Sequence, residues 1–454
     1  MTTPNGRISN SGRPWYLVLA AFAVALLLAA CGSTGDTSSS AAPDFLSGGA
    51  TPAPATIKLW LSGQFGAATP GSPYRQWIDA QISRFQQQNP GSKVEVSLLG
   101  FDNDQIAARL TAAFTSKQVP DVALIFSGGY TTPYAASLTQ LNQGVDNTPG
   151  MYDSIGGWDL SCAALDCQNG KGQIFGVPLE GITYGLFYNK ALFAQAGIAE
   201  PPRTWQTLLD ACTRLKSIGV VPIAYGDRDG YSTDNWVTLM YSSLMESGDI
   251  GRVNDGSLAY NDKKLVEPLQ TLTQLKTNGC VNPDASTREN SDANTYFTSG
   301  KAAMVLMYPQ VTSQFQQALG NKLGVMGMPV SGSGPLAQNV AANSNDNFVI
   351  PKDAVNKALA FNFIKLATDE TAGKSLLTIL GSPTLNKAAA ASNNNPIAAF
   401  FLDGLKDPAL PLLDSVIPVK DALFYYKQIQ QAFSGAITPQ AAMDAVDQFA
   451  KTNR

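Results

Sequence analysis

Residues 172–205 read GQIFGVPLEGITYGLFYNKALFAQAGIAEPPRTW and carry the clearest structural pattern in this chain. Two short apolar runs, residues 174–179 and 184–188, have the length and composition of buried strands. Asn189 stands where a helix N-cap is preferred, and the apolar residues after it recur at helical spacing until Gly197, which is placed to end the helix. The segment therefore predicts strand, turn, strand and helix, the order found in α/β domains.

The rest of the chain repeats this alternation. The predicted strands are residues 57–61, 93–99, 122–126 and 220–225, and the predicted helices are residues 74–88, 106–118, 204–218 and most of 234–279. Strands that alternate with helices favour doubly wound α/β domains. About 400 residues follow the N-terminal region, enough for two sizeable lobes.

Several motifs along the chain belong together. They are Gly176-Val177-Pro178, the stretch from Gly185 to Lys190, the stretch from Pro201 to Trp205, the F-T-S-G-K-A-A-M run within residues 296–305, and residues 347–352 and 381–387. In order and spacing they resemble the extracellular solute-binding proteins that serve carbohydrate ABC importers. The resemblance covers about residues 57–454 in organisation.

This resemblance implies a two-lobed periplasmic-binding-protein type II fold, similar to maltose-binding proteins. Two doubly wound α/β lobes would be joined by three crossings, which we place near Glu180, Ser344 and Leu385. Lobe 1 would then comprise residues 57–180 and about 345–385, and lobe 2 residues 181–344 and about 386–454. A ligand would bind between the lobes, beyond the carboxyl ends of the strands, and the lobes would close about a hinge.

The N-terminus has the pattern of an export signal. Arg7 and Arg13 precede a 16-residue apolar run, residues 15–30, which is shorter than the roughly 20 residues that a membrane-spanning helix needs. The run ends in Leu28-Ala29-Ala30-Cys31, which resembles a bacterial lipobox. We therefore expect residues 1–30 to be a lipoprotein signal peptide and Cys31 to carry a lipid at the outer face of the cytoplasmic membrane. The alternative is an ordinary signal peptide, or an uncleaved anchor, with a coincidental cysteine.

Residues 31–56 are rich in Gly, Ser, Thr, Ala and Pro, which predicts a flexible linker after the anchor. Four further cysteines, an even number, suit an oxidising compartment. Three pairings or four free thiols are open; we favour Cys162–Cys167 and Cys212–Cys280.

Composition excludes several classes of function. The chain has 31 Lys and Arg, 35 Asp and Glu and no histidine. Without histidine, Ser-His and Cys-His pairs and histidine metal sites are excluded, and we expect no metal or cofactor. Without a basic block, the chain has no footprint for nucleic acid. A two-carboxylate glycoside hydrolase is the enzyme alternative.

A sugar presents C–H faces and a rim of hydroxyls, so its site needs aromatic rings and polar side chains in loops. Our candidates are Trp60, Ser62, Gln64, Phe126, Ser127, Tyr130, Glu180, Tyr184, Asp234, Trp236, Tyr308, Asn343, Asp346, Phe424 and Tyr425. Trp236 is the preferred stacking ring, with a core role as its alternative. Asp234 is also a candidate N-cap.

The sequence thus predicts a monomeric, lipid-anchored receptor that captures a sugar or oligosaccharide and delivers it to the permease of an ABC importer. The alternative within the same fold is a receptor for another polar solute, such as a glycerophosphodiester or a polyamine.

Overall fold

The protein consists of short, largely apolar strands connected by helices. The computed structural model describes residues 52–100, 103–162, 172–246, 248–329, 342–405 and 410–453. The predicted signal peptide, Cys31 and most of the linker lie outside these residues, as does Cys167 and with it the predicted Cys162–Cys167 pair.

The described residues form nine strands. They are β1 (Thr56–Leu61), β2 (Lys93–Leu98), β3 (Val122–Phe126), β4 (Gly176–Thr183), β5 (Gly185–Asn189), β6 (Val221–Ala224), β7 (Ala302–Met307), β8 (Leu323–Met326) and β9 (Ala342–Val349).

Two separate sheets contain these strands. The five-stranded sheet has the order β2-β1-β3-β9-β4, and the four-stranded sheet has the order β6-β7-β5-β8. β1 pairs in parallel with β2 and β3, whereas β9 pairs antiparallel with β3 and β4. In the second sheet β6 and β7 are parallel, and β5 is antiparallel to both of its neighbours. We call the parts of the protein around the two sheets lobe 1 and lobe 2.

Helices connect the strands and cover both sheets. In chain order they are α1 (Gly63–Gly66), α2 (Pro73–Gln88), α3 (Asn103–Ser116), α4 (Thr131–Tyr134), α5 (Asn142–Asp146), α6 (Met151–Ser154), α7 (Lys190–Gln195), α8 (Trp205–Ser217), α9 (Tyr231–Tyr241), α10 (Asp249–Asp255), α11 (Lys263–Thr277), α12 (Asn290–Thr298), α13 (Thr312–Leu319), α14 (Lys357–Ala367), α15 (Glu370–Ser375), α16 (Lys387–Ala391), α17 (Pro396–Gly404), α18 (Leu413–Val416), α19 (Val419–Ser434) and α20 (Pro439–Asn453). Within the described ranges, none of them has the length and apolarity needed to cross a membrane.

Each lobe has its own apolar core. In lobe 1, alternate residues of a strand face opposite sides of the sheet, so Leu124 belongs to the core cluster that contains Trp77 of α2, while Ile125 belongs to the cluster that contains Leu110 of α3. In lobe 2, one large cluster holds residues from all four strands and from helices that include α8, α9, α11 and α19. Separate cores allow the two lobes to behave as rigid bodies.

The chain passes directly from one sheet to the other at Tyr184, the single residue between β4 and β5. The sequence placed the first of these strands at residues 174–179, but β4 runs from Gly176 to Thr183. The reason is long-range pairing, because β9 pairs with β4 as far as Thr183 opposite Ala342. Ile174 makes only an isolated bridge with Cys162.

One predicted disulfide is present within lobe 2. Cys212 of α8 and Cys280 are bonded, with their Cα atoms 5.3 Å apart, which confirms that pairing. The bond closes a loop between residues 68 positions apart in the chain.

Candidate functional site

A cleft of about 750 Å³ opens between loops of the two lobes. Its lining combines aromatic rings, amides and a few charged groups: Gln64, Phe126, Ser127, Gly129, Tyr130, Ile182, Tyr184, Arg228, Asp229, Tyr231, Glu289, Asn290, Ser291, Tyr308, Gln310, Asn345, Leu412, Asp414, Ser415, Val419, Ala422, Leu423, Tyr426, Lys427 and Gln430. A cavity of this size accommodates a small molecule.

The lobe 1 wall of the cleft follows the carboxyl ends of β1 and β3. Phe126 ends β3, and its ring centroid lies 5.9 Å from that of Tyr130. The Ser127 hydroxyl accepts a hydrogen bond from Asn347 Nδ2 at 2.8 Å. Gln64 in α1 donates from Nε2 to the Tyr308 hydroxyl at 2.9 Å, which is a direct bond between the lobes.

The lobe 2 wall is a set of four tyrosines, which we call the tyrosine wall: Tyr184, Tyr231, Tyr308 and Tyr426. The hydroxyls of Tyr184 and Tyr231 share a hydrogen bond of 3.1 Å. The ring of Tyr231 meets that of Tyr426 edge to face, with centroids 6.0 Å apart. Both of these rings are half-buried, so each keeps a surface for the cleft.

Asp414 brings a carboxylate to this wall. Its Oδ2 accepts a hydrogen bond from the Tyr426 hydroxyl at 2.8 Å. Burial raises the pKa of Asp414, while hydrogen bonds from Tyr426 and Ser415 oppose that shift. The carboxylate has further lone pairs with which to accept hydrogen bonds from a ligand.

Four other charged side chains line the cleft. Arg228 forms an ion pair with Glu289, and Asp229 and Lys427 are exposed. With Asp414, the described residues that line the cleft include three acids and two bases, and one of the bases, Arg228, is paired.

Main-chain atoms of the two lobes also touch at one edge of the cleft. Gly128 has a φ of +65°, and a Cβ built on it would lie 2.0 Å from the carbonyl oxygen of Ser415. Val419 beside this point packs against the lobe 1 cluster that contains Tyr130. Only glycine allows the loop after β3 to approach lobe 2 this closely.

The sequence and fold of this chain match known proteins. A profile of the bacterial extracellular solute-binding proteins matches residues 67–374.

The chain belongs to the bacterial extracellular solute-binding protein family.

The names of its relatives do not all specify a ligand. A binding protein of Brucella abortus (strain 2308) is 24% identical over 246 residues, which cover 53% of this chain and 57% of the relative. The sn-glycerol-3-phosphate-binding periplasmic protein UgpB of Shigella dysenteriae serotype 1 (strain Sd197) is 25% identical over 268 residues, 56% of this chain and 58% of the relative. The matched region thus spans less than two thirds of the length of these curated relatives.

Among solved structures, a chitin oligosaccharide binding protein superposes with a TM-score of 0.75 at 18% sequence identity. The superposition covers 87% of this chain and 98% of that protein. This similarity confirms the two-lobed fold that the sequence predicted.

The structure places six of the predicted ligand residues of this solute-binding protein on the lining of the cleft. They are Gln64, Phe126, Ser127, Tyr130, Tyr184 and Tyr308. Glu180 and Asp346 are fully buried behind the lining, where Glu180 contacts Gln310 and Asn345. The side chain of Asn343 lies outside the described residues. Ligand contact by all of these residues stays a prediction.

Other predicted residues lie away from the cleft lining. Trp60 is half-buried against a lobe 1 core cluster, and the Ser62 hydroxyl donates to the carbonyl of Leu124 at 2.9 Å. The Trp236 indole is 1% exposed and lies near Tyr225 in the lobe 2 core, which corrects the expectation of a cleft position.

Helix α9 begins earlier than the sequence suggested. Gly230 is its N-cap, so the interpretation of Asp234 as the N-cap is wrong. Asp234 instead accepts a hydrogen bond from Thr238 Oγ1 inside the helix, at 3.1 Å. The earlier start puts Tyr231 on the cleft and turns Trp236 into the core.

The aromatic residues of α19 show a similar change of face. Phe424 stacks on Phe449 with centroids 4.2 Å apart, and the buried Tyr425 bonds the Tyr241 hydroxyl at 2.7 Å. The neighbouring Tyr426 lines the cleft instead. The sequence pattern could have indicated this, because Lys427 and Gln430 lie on the same side of the helix as Tyr426, whereas the buried residues 425, 429, 432 and 433 form another stripe.

Sequence reasoning missed Arg228, Tyr231, Gln310 and Asp414 as lining residues. Tyr231 directly follows a turn rich in Gly and Asp, which is the one local feature that could have identified it. Asp414 lies in a helix of four residues, which no pattern in the sequence predicted.

Proposed function

We propose that this protein captures a sugar or oligosaccharide in the cleft between its lobes and delivers it to an ABC importer. The observation that carries the proposal is the tyrosine wall with Asp414 at its edge. The proposal assigns no chemical step to the chain.

The chemistry of the wall suits a saccharide. Sugar rings expose C–H faces that pack against aromatic rings, and Tyr231 and Tyr426 each keep a half-buried ring at the cleft. Sugar hydroxyls donate hydrogen bonds in the plane of the ring, and the Asp414 carboxylate can accept them. The similarity in fold to a chitin oligosaccharide binding protein supports the same class of ligand.

A phosphate ester is the main competing ligand, because UgpB relatives are named for binding sn-glycerol 3-phosphate. The charges of the cleft oppose it. The acids Asp229, Glu289 and Asp414 outnumber Arg228 and Lys427, and Arg228 is already paired with Glu289. A phosphate dianion prefers bidentate arginine and oriented backbone N–H groups, so this cleft favours a neutral ligand.

A polyamine is the second competitor, since three cleft acids beside aromatic rings could attract a cation. Two bases in the same cleft, Arg228 and Lys427, oppose a polycation.

The proposal includes attachment to the membrane. A diacylglycerol on Cys31 would hold the protein at the outer face of the cytoplasmic membrane, with residues 31–56 as the tether. Metabolic labelling with an acyl precursor tests this: label should appear on the wild type and be absent from Cys31→Ser.

A thermal-shift screen tests the ligand class. The wild type is heated with galactose, maltose, xylobiose, diacetylchitobiose, sn-glycerol 3-phosphate or spermidine. A ligand that binds only the folded state stabilises it by about 2.7 kcal/mol at a hundred times its Kd, which raises the melting temperature. We expect at least one neutral sugar to raise it. If the melting temperature rises only with the phosphate ester, or only with spermidine, the ligand belongs to that class and is not a sugar.

A further inference from the structure

A buried carboxylate lies directly behind the floor of the cleft. Glu180 in β4 is 0% exposed and is paired across the sheet with Asp346 of β9. The register of the two strands shifts on both sides of this residue pair. Glu180 therefore sits at an irregular point of the sheet, four residues before the passage into lobe 2 at Tyr184.

Two amide side chains point their nitrogen atoms at this carboxylate. Gln310 Nε2 donates to Glu180 Oε1 at 3.0 Å, and Asn345 Nδ2 donates to the same oxygen at 3.2 Å. The hydroxyl of Ser382 donates to the other carboxylate oxygen. Since an ionised carboxylate only accepts hydrogen bonds, it dictates which end of each amide faces it.

The opposite ends of these amides are then carbonyl oxygens, and both residues line the cleft. Gln310 is 5% exposed, and its Oε1 is buried with no hydrogen-bond partner among the described residues. A buried acceptor without a partner is destabilising, because it has lost its hydrogen bonds to water. A donor supplied by a ligand would remove that destabilisation.

We propose that Glu180 is a positioning residue of the ligand site: through Gln310 and Asn345 it fixes two carbonyl oxygens as acceptors on the cleft floor, which selects ligands that donate hydroxyl groups there. The proposal rests on the proposed function, since it assigns part of the recognition of a sugar to a residue that the sugar does not touch.

The neighbouring acid helps Glu180 to stay ionised. Asp346 lies opposite Glu180 in the sheet, and burial followed by the charge of Glu180 raises the pKa of Asp346 well above its ordinary value. Burial also raises the pKa of Glu180, but the hydrogen bonds from Ser382, Gln310 and Asn345 oppose that shift. Of the two acids, Asp346 is therefore the one that takes up a proton first as the pH falls.

A double-mutant cycle on ligand affinity tests the proposal in the purified full-length protein. The probe is the neutral sugar that gives the largest shift in the thermal screen, and Kd is measured by calorimetric titration for the wild type, Glu180→Met, Gln310→Met and the double variant. Melting curves confirm that each variant is folded.

We expect about a fivefold to tenfold rise in Kd for each single variant, the size of one or two hydrogen bonds. The double variant should be little worse than either single variant, because Glu180 acts through Gln310. Glu180→Gln should recover most of the loss, since its amide oxygen can still accept from both amides. If Glu180→Met does not fold, the affinities of Gln310→Met and Glu180→Gln still test the proposal.

Two results would overturn the proposal. One is an unchanged Kd in Glu180→Met or, where that variant does not fold, in Gln310→Met. The other is strictly additive losses in the cycle, which would mean that Glu180 acts independently of Gln310. If no sugar binds the wild type, the proposed function itself is wrong, and that outcome is visible before any variant is made.

Discussion

The two walls of the cleft are built differently. The lobe 1 wall consists of uncharged residues at or just after the carboxyl ends of strands, such as Gln64, Phe126 and Tyr130. The lobe 2 wall consists of tyrosines and of all five charged side chains that line the cleft among the described residues. From this contrast we infer that, under the proposed function, lobe 2 carries most of the recognition and lobe 1 closes over a ligand already held there.

Among the variants that change sugar affinity, removing one ring from lobe 2 is expected to have the largest effect. A stacked ring contributes on the order of 1 kcal/mol beyond its buried area, which itself adds roughly 25 cal/mol per Å². Tyr231→Ala should therefore weaken binding of the best sugar at least tenfold. Tyr130→Ala in lobe 1, whose ring is 5% exposed, should change Kd much less. Calorimetric titration of both variants measures the difference, and equal losses would break the comparison.

Trp236→Ala is the matched control, since Trp236 lies in the same helix as Tyr231 but in the core. Its loss should cost about 3–5 kcal/mol of stability. The Kd of the folded variant should change little; a loss of affinity as large as that of Tyr231→Ala would return Trp236 to the site.

The lobe 2 wall also rests on a buried acid that titrates near neutrality. Asp227 accepts hydrogen bonds from the backbone N–H and hydroxyl of Thr233, and burial raises its pKa from 3.8 to about 7. Between about pH 4 and pH 7 the folded state keeps a proton that the unfolded chain has released, so stability falls as the pH rises through this window. Such a shift corresponds to as much as about 4 kcal/mol.

Asp227→Asn should flatten this dependence, because asparagine carries no titratable proton. Urea unfolding at pH 5 and pH 8 measures it: the wild type should be more stable at pH 5, and the variant should show a smaller difference. An identical difference in both proteins would show that Asp227 is ionised throughout.

The contact between the walls gives the next prediction. Gly128→Ala would drive a methyl group into the carbonyl of Ser415, which should keep the lobes apart and weaken sugar binding about tenfold, or about 1.4 kcal/mol. Gly150→Ala is its control, since Gly150 also has a positive φ, +74°, but nothing lies within 4 Å of its added Cβ. Small-angle scattering and titration compare the two. Equal effects would mean that backbone strain, and not lobe contact, is responsible.

The smallest effect is expected from the side-chain bond between the lobes. Gln64→Ala and Tyr308→Phe each remove the hydrogen bond from Gln64 Nε2 to the Tyr308 hydroxyl. Each should raise Kd by about threefold, within the range of one hydrogen bond. A large loss for only one of them would show that this residue also contacts the sugar directly.

The difference between the walls also explains what the sequence could predict. In lobe 1 a strand ends at Phe126, and the residues after a strand end must lie at the edge of the sheet, so Ser127 and Tyr130 were predictable lining residues. The fold was predictable from motifs such as the run from Gly185 to Lys190, because they combine strand, cap and turn residues in a fixed order.

In lobe 2 part of the lining comes from the helices α9 and α19, and helical periodicity did not predict it. Ten of the eleven residues of α9 are buried, so no polar face marks the side that meets the cleft. A start one turn earlier than Asp234 moved Tyr231 to the cleft and Trp236 to the core. The contacts of Glu180 with Gln310 and Ser382 join residues 130 and 202 positions apart, which spacing along the chain cannot predict.

A crystal structure of the protein with its best sugar tests the central claim most directly. We predict a sugar ring packed against Tyr231 or Tyr426 and a ligand hydroxyl within hydrogen-bonding distance of the Asp414 carboxylate. A sugar held only by lobe 1 residues, or bound outside this cleft, would contradict the account.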